Sequence, residues 1–130
     1  MARSVEQMHV KKVLVVDDSE TVRLQIRNAL APAGYDVIEA VDGLDGLERI
    51  RVDLALDLVL CDVNMPRMSG LDMIDQLKAE GLTRIPVVML TSEGQSLLVR
   101  RAKEAGAKGW IVKPFKVDLL LSAVNKLVAA

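Results

Sequence analysis

Four aliphatic stretches are each followed at once by side chains that handle charge or protons. Asp17 and Asp18 follow Val13-Leu14-Val15-Val16, and Asp62 follows Leu58-Val59-Leu60-Cys61. Thr91 and Ser92 follow Val87-Val88-Met89-Leu90, and Lys113 with Pro114 follows Gly109-Trp110-Ile111-Val112. Gathered in one place, these groups would supply carboxylates, a hydroxyl and an ammonium. Crowded carboxylates repel: two unit charges ~4 Å apart, at an effective dielectric near 20, cost about 4 kcal/mol. Such a site either raises a carboxyl pKa or binds a cation. Acidic oxygens without a histidine or thiol suit a hard ion, Mg²⁺ first, with Mn²⁺ able to replace it. Lys113 and Thr91 would neutralise and hydrogen-bond a phosphoryl oxygen. A metal, a cation and a hydroxyl around one carboxylate describe a site for phosphorylating that carboxylate, and aspartate is a covalent phosphoryl acceptor.

The elements that could gather them are legible in the hydrophobic pattern. Short continuous aliphatic runs suit strands buried on both faces. A weaker run, Val37-Ile38-Glu39-Ala40, adds a fifth. Between the runs lie helical stripes: Val22, Ile26, Ala29 and Leu30; Leu44, Leu47, Ile50 and Leu54; Leu71, Ile74 and Leu77; Leu98, Ala102 and Ala105; and a last one from Val117 through Leu120, Leu121, Val124 and Leu127 to Val128. Gly34, Gly81 and Gly106 stand where helices should stop, Asp42 is a candidate N-cap, and Ser69 with Asp72 resembles a capping box. Strand–helix alternation repeated five times predicts an α/β fold, a doubly wound parallel sheet covered on both faces. In such a sheet the carboxyl ends of the strands share one edge, and ligands bind in the crevice beyond it. That edge is where the polar side chains fall.

Composition excludes several other functions. The chain has 130 residues, 51% hydrophobic and 27% charged, with 17 Lys and Arg against 18 Asp and Glu for a net charge of −1. One domain of ordinary size is expected, with residues 1–11 an N-terminal extension and residues 12–128 the folded unit. Near-neutral charge argues against nucleic acid as a partner, and three aromatic residues, Tyr35, Trp110 and Phe115, leave little for base stacking. One cysteine, Cys61, excludes an internal disulfide. No apolar run approaches the ~18 residues of a membrane span, and the polar start lacks a secretory signal's apolar centre. The cytoplasm is the expected compartment.

Four segments in this order and spacing carry a resemblance: residues 13–19 (VLVVDDS), 61–70 (CDVNMPRMSG), 87–93 (VVMLTSE) and 106–115 (GAKGWIVKPF). Together they resemble the receiver domain of bacterial two-component response regulators, of the single-domain chemotaxis type. The resemblance spans residues 12–128. It implies a flavodoxin-like sheet in the order 2-1-3-4-5 with five helices, and Asp62 as phosphoacceptor. It implies Mg²⁺ held by Asp18 and Asp62, by Asp17 through water and by the backbone carbonyl of Asn64. Thr91 would be the hydroxyl that moves to the phosphoryl group, Lys113 the cation that pairs with it, and Lys113-Pro114 a cis peptide. Asn64, Glu93 and Ser92 would flank the site, with Asn64 and Glu93 influencing attack of water on the acyl phosphate. The family's switch position, usually Tyr, Phe or His, is Trp110 here, a bulkier ring whose inward turn needs more room below Ser92.

The implied partners are a histidine kinase, a downstream protein (the flagellar motor switch in a chemotaxis pathway) and a phosphatase. Arg100, Arg101, Lys103, Lys108, Lys113 and Lys116 outnumber Glu93 and Glu104 between residues 92 and 116. This stretch is either a solvated face or the docking face of the fourth helix, fifth strand and fifth helix; the resemblance favours docking. A phosphorelay intermediate is the near alternative. A Mg²⁺-dependent aspartyl-phosphate hydrolase is the alternative from another class, but it commonly needs a general acid two residues after the nucleophile, where Asn64 cannot serve. A flavodoxin-like cofactor binder would need a Gly- or Ser/Thr-rich phosphate loop after the first strand, where this chain has Asp17 and Asp18, which would repel the phosphate. A receiver that only docks would have no use for the acidic set. Trp110 reads either as the switch or as packing, Cys61 as a small core residue, His9 as part of the extension, and Met65, Met68 and Met73 as apolar packing after Asp62.

Overall fold

A computed structural model of the chain describes residues 10–92 and 96–129, without the side chains of residues 93–98 and 129. Five strands, β1 (Lys12–Val16), β2 (Asp36–Ala40), β3 (Leu58–Asp62), β4 (Val87–Thr91) and β5 (Gly109–Val112), alternate with α1 (Glu20–Leu30), α2 (Gly43–Val52), α3 (Gly70–Ala79), α4 (Ser96–Ala105) and α5 (Val117–Ala129). The strands form one sheet in the order β2-β1-β3-β4-β5, every neighbouring pair parallel.

The period of two along each strand splits the core into two layers. Leu14, Val16, Val59, Cys61, Val87 and Met89 face Leu47 and Ile50 of α2, Leu71, Met73, Ile74 and Leu77 of α3, and Ala102 of α4. Val13, Val15, Leu58, Leu60, Val88 and Leu90 face Ile26 and Leu30 of α1 and Leu120 and Val124 of α5. The fully buried β3 and β4 are central, whereas β2 and β5 at the edges are only partly covered. Truncating a fully buried side chain such as Leu60 to Ala would cost about 2–5 kcal/mol.

Three polar side chains start the helices. Ser19, Asp42 and Ser69 accept hydrogen bonds from the backbone N–H of Val22, Asp45 and Asp72 respectively. Gly81 and Gly106 follow α3 and α4 with φ of 75° and 112°. Gly34, with φ of 98°, follows a short 3-10 turn at Ala31–Ala33 rather than α1 itself.

Two expected stripes are shorter than the periodicity suggested. Helix α2 stops at Val52 with Asp53 as its C-cap, so Leu54 lies in the following loop, 69% exposed, and Leu44 is 40% exposed; Leu56 enters the core instead. Val117, first residue of α5, is likewise exposed. Met73 is a buried residue of α3, with Met65 and Met68 packed on the same layer. Among the described residues, no helix is long and apolar enough to cross a membrane. His9 and nearly all of the expected extension lie outside the described residues.

Candidate metal centre

The parallel register carries the ends of β1 and β3 to the same level. Val16 pairs with Cys61, so Asp17 and Asp62, each the next residue, stand side by side. Carboxylate oxygens of Asp17, Asp18 and Asp62 all lie within 4.8 Å of one another. Asp17 and Asp62 are buried and Asp18 is exposed. The structure thus brings together three carboxylates that are 45 positions apart at their widest separation, Asp17 to Asp62.

Lys113 arrives from β5. Thr91 pairs with Val112 at the last rung of β4 and β5, and the Lys113 N–H donates to the Thr91 carbonyl at 2.6 Å. The Lys113–Pro114 peptide is cis. The ammonium lies 3.2 Å from Asp17 Oδ2 and 3.4 Å from Asp62 Oδ1. One cation therefore meets two of the three carboxylates, and the balance shows in the protonation of Asp62 and Lys113. Burial and the Asp17 charge push the Asp62 carboxyl above its ordinary pKa, against the pull of Lys113. Burial works against the charge of Lys113, but Asp17 and Asp62 outweigh it and raise its pKa. At neutral pH the ammonium stays charged.

Asp17 is held from all sides. Its Oδ1 accepts from the Ser19 N–H at 2.9 Å, its Oδ2 from Lys113, its N–H donates to the Ala40 carbonyl, and its own carbonyl accepts from Arg23 Nη1 at 2.7 Å. Both of its carboxylate oxygens are occupied. The donor set, carboxylate oxygens with no imidazole or thiolate among them, fits Mg²⁺ or Mn²⁺. Arg23 was missed by the sequence reading; a cation on the inner face of the first helix was its only signal.

The remaining predicted residues fall as follows. Thr91 is buried at the end of β4, one residue past Leu90, the partner of Asp62. Ser92 beyond it is exposed, and Asn64 is exposed in the loop between β3 and α3. Glu93 lies outside the described residues. Gly70 at the head of α3 supports Asp62 from behind: its N–H donates to the Val63 carbonyl, and a Cβ there would stand 2.2 Å from the Asp62 carbonyl oxygen. Trp110 pairs with Met89 and packs on the core layer facing α2, α3 and α4. Its indole Nε1 is buried with no hydrogen-bond partner among the described residues. A cavity of about 180 Å³ adjoins it, lined by Val99, Ala102, Lys103 and Ala107. Cys61 is fully buried, and burial pushes its thiol far up, so it is inert packing. Arg100, Arg101, Lys103, Lys108 and Lys116 are all exposed on the α4–β5–α5 side.

A doubly wound parallel sheet whose carboxyl edge carries an acidic cluster and a lysine defines a flavodoxin-like domain with a candidate cation site. The family model described as response regulator receiver domain matches residues 13–125, and the chain belongs to that family. It is 40% identical over 111 residues to chemotaxis protein CheY1 of Helicobacter pylori, covering 84% of this chain and 90% of that one. It is 36% identical over 119 residues to chemotaxis protein CheY of Thermotoga maritima, covering 90% and 97%. The crystal structure of Vibrio cholerae CheY4 superposes with a TM-score of 0.85 at 34% identity, over 92% of this chain and 99% of that one. The chain is thus a CheY-like receiver domain of two-component signalling, a signalling switch in class.

Proposed function

We propose that this receiver is a phosphorylation-controlled switch, acting in the cytoplasm in a chemotaxis pathway, with Asp62 as the phosphoacceptor. The observation that carries the reading is the Lys113 ammonium seated between the Asp17 and Asp62 carboxylates with Asp18 beside them. A partner histidine kinase presents a phosphohistidine. A carboxylate oxygen of Asp62 attacks the phosphorus in line, the P–N bond breaks, and the imidazole leaves with the electron pair. Lys113 then turns from the carboxylates to the charge on the transferred group. Asp18 and Asp62, Asp17 through water and the Asn64 carbonyl would hold Mg²⁺, which would supply further positive charge against the phosphoryl oxygens.

Thr91, one residue beyond the Asp62 level, offers its hydroxyl to the phosphoryl group. Movement there biases two conformations of the neighbouring β4–β5 edge. The indole N–H of Trp110, buried and without a partner among the described residues, and the cavity beside it support Trp110 as the reporter of that change, because such a donor gains from any arrangement that finds it an acceptor. The exposed cations of the α4–β5–α5 side are the face that meets the downstream protein, the flagellar motor switch in this reading. Asn64 and Glu93 govern water attack on the acyl phosphate, unaided or with a phosphatase.

Incubation with acetyl phosphate and Mg²⁺ tests the core of the reading. The intact mass should show one labile phosphoryl adduct, absent in Asp62→Asn. An adduct that persists in that variant would assign the acceptor elsewhere. Beryllofluoride should change the fluorescence of Trp110, the one tryptophan in the chain; an unchanged spectrum removes Trp110 from the switch.

A further inference from the structure

The loop between β3 and α3 carries Asn64, and the structure fastens it to the start of α2 in a way that helix capping does not explain. Asp42 caps α2 with Oδ1, which accepts from the Asp45 N–H at 2.9 Å. An asparagine would cap as well, so the charge on Asp42 is surplus to that task. Its Oδ2 accepts from Arg67 Nε at 2.6 Å, and the Asp42 side chain is only 6% exposed. A carboxylate so far out of water needs a charged partner, and Arg67 reaches across 25 positions to supply it.

Arg67 itself stands in the left-handed region, φ 67°, in the middle of a three-residue turn closed by the Met68 N–H on the Pro66 carbonyl at 2.7 Å. Such a tight turn is strained and persists only where its surroundings hold it. A glycine would take that φ freely; an arginine brings a guanidinium that anchors the turn. The next residue makes the second contact. A Cβ on Gly43, the first residue of α2, would lie 2.3 Å from the Met68 carbonyl oxygen, so the loop sits directly on the helix start. At its base the loop is pinched shut by the Gly70 N–H on the Val63 carbonyl at 2.9 Å. Asn64 lies between that base and the Arg67 anchor.

We infer that the Arg67–Asp42 ion pair and the Gly43–Met68 contact form a clasp that fixes this loop, making Arg67 and Asp42 positioning residues that set the affinity of the acidic site for Mg²⁺ through the placement of Asn64. The inference rests on the metal site proposed above. Its test is a calorimetric titration with Mg²⁺ alone on the full chain, with thermal melts and amide exchange at Met68 alongside. Asp42→Asn keeps the cap and removes the charge. Arg67→Gly removes the guanidinium and relieves the turn. Gly43→Ala keeps every charge and displaces the loop. Each should weaken Mg²⁺ binding by roughly 10-fold, the scale at which supporting groups tune metal sites, and speed exchange of the Met68 amide while unfolding stays cooperative. Arg67→Lys should recover part of the affinity. Wild-type Mg²⁺ affinity in folded Asp42→Asn and Arg67→Gly would overturn the clasp, leaving the ion pair a matter of stability alone. If the wild-type chain takes up no Mg²⁺, the metal site itself falls, an outcome distinct from equal binding by all variants.

Discussion

Two charged clusters flank the first helix, and they are balanced in opposite ways. At Glu39 on β2, one carboxylate faces two guanidiniums: Arg23 Nε at 2.9 Å and Arg27 Nη2 at 2.7 Å. Burial raises its pKa, but the hydrogen bonds from Arg27 and Arg23 prevail and hold it below the usual carboxylate range. At Asp62 three carboxylates crowd together with one ammonium, which meets Asp17 and Asp62, and the same accounting leaves the Asp62 acid raised. The first cluster has its charge satisfied within the fold. The second keeps a deficit of positive charge that a divalent ion would fill. Arg23 belongs to both, pairing with Glu39 through Nε and with the Asp17 carbonyl through Nη1. The satisfied cluster thus anchors the backbone on which the unsatisfied one is built.

The largest expected break in this contrast is Lys113→Ala. It should slow formation of the acetyl-phosphate adduct by about 100-fold, the usual loss when one pre-placed donor to a developing oxyanion is removed. Intact mass against time measures it. A rate close to wild type would make Lys113 a structural counter-ion like the guanidiniums at Glu39. Next in size is Asp18→Ala, which should weaken Mg²⁺ by about tenfold, or 1.4 kcal/mol. Calorimetry reads this directly, and unchanged affinity would remove Asp18 from the ligands.

The unequal balance was partly legible in the sequence. Asp17, Asp18, Asp62 and Lys113 each follow an aliphatic run, and the parallel topology puts the ends of such runs on one edge; strand pattern alone therefore foretold their meeting. Arg23 and Arg67 left no comparable trace. A long flexible side chain reaches its partner across 6 positions in one case and 25 in the other, through turns whose direction no periodicity encodes. The left-handed turn at Arg67 is equally silent, because a non-glycine residue gives no sign of a positive φ. The stripe that included Leu54 failed for a local reason. Apolar spacing continued past Val52, while Asp53 ended the helix by turning its side chain onto the Ala55 N–H at 2.9 Å. The core of each central strand was plain because burial on both faces leaves no polar positions to misread.

The sharpest and smallest test sets Asp62→Asn against Glu39→Gln without metal. A carboxyl whose folded pKa is raised binds its proton more tightly in the native state. Its ionisation costs stability as pH rises from the ordinary carboxylate value through the raised one, and the cost persists above it. Asp62→Asn removes that cost and should stabilise the chain at pH 7 by about 1 kcal/mol, roughly 3–5 °C in Tm. Glu39 has the reverse sign. Its lowered pKa contributes stability above the ordinary value, lost as pH falls through the folded value. Glu39→Gln should therefore destabilise the chain at pH 7 by about 0.5–1 kcal/mol, the range of partly exposed ion pairs. Urea midpoints taken across the carboxylate range should show the Asp62→Asn difference shrinking first, as pH falls from the raised value to the ordinary one, and the Glu39→Gln difference shrinking only below the ordinary value, because protonation erases each in its own window. Adding Mg²⁺ at pH 7 should stabilise the wild type and Glu39→Gln alike and narrow the lead of Asp62→Asn. Should Asp62→Asn instead lower the midpoint at pH 7, the pairing with Lys113 would outweigh the crowding, and the acidic edge would be as internally balanced as Glu39.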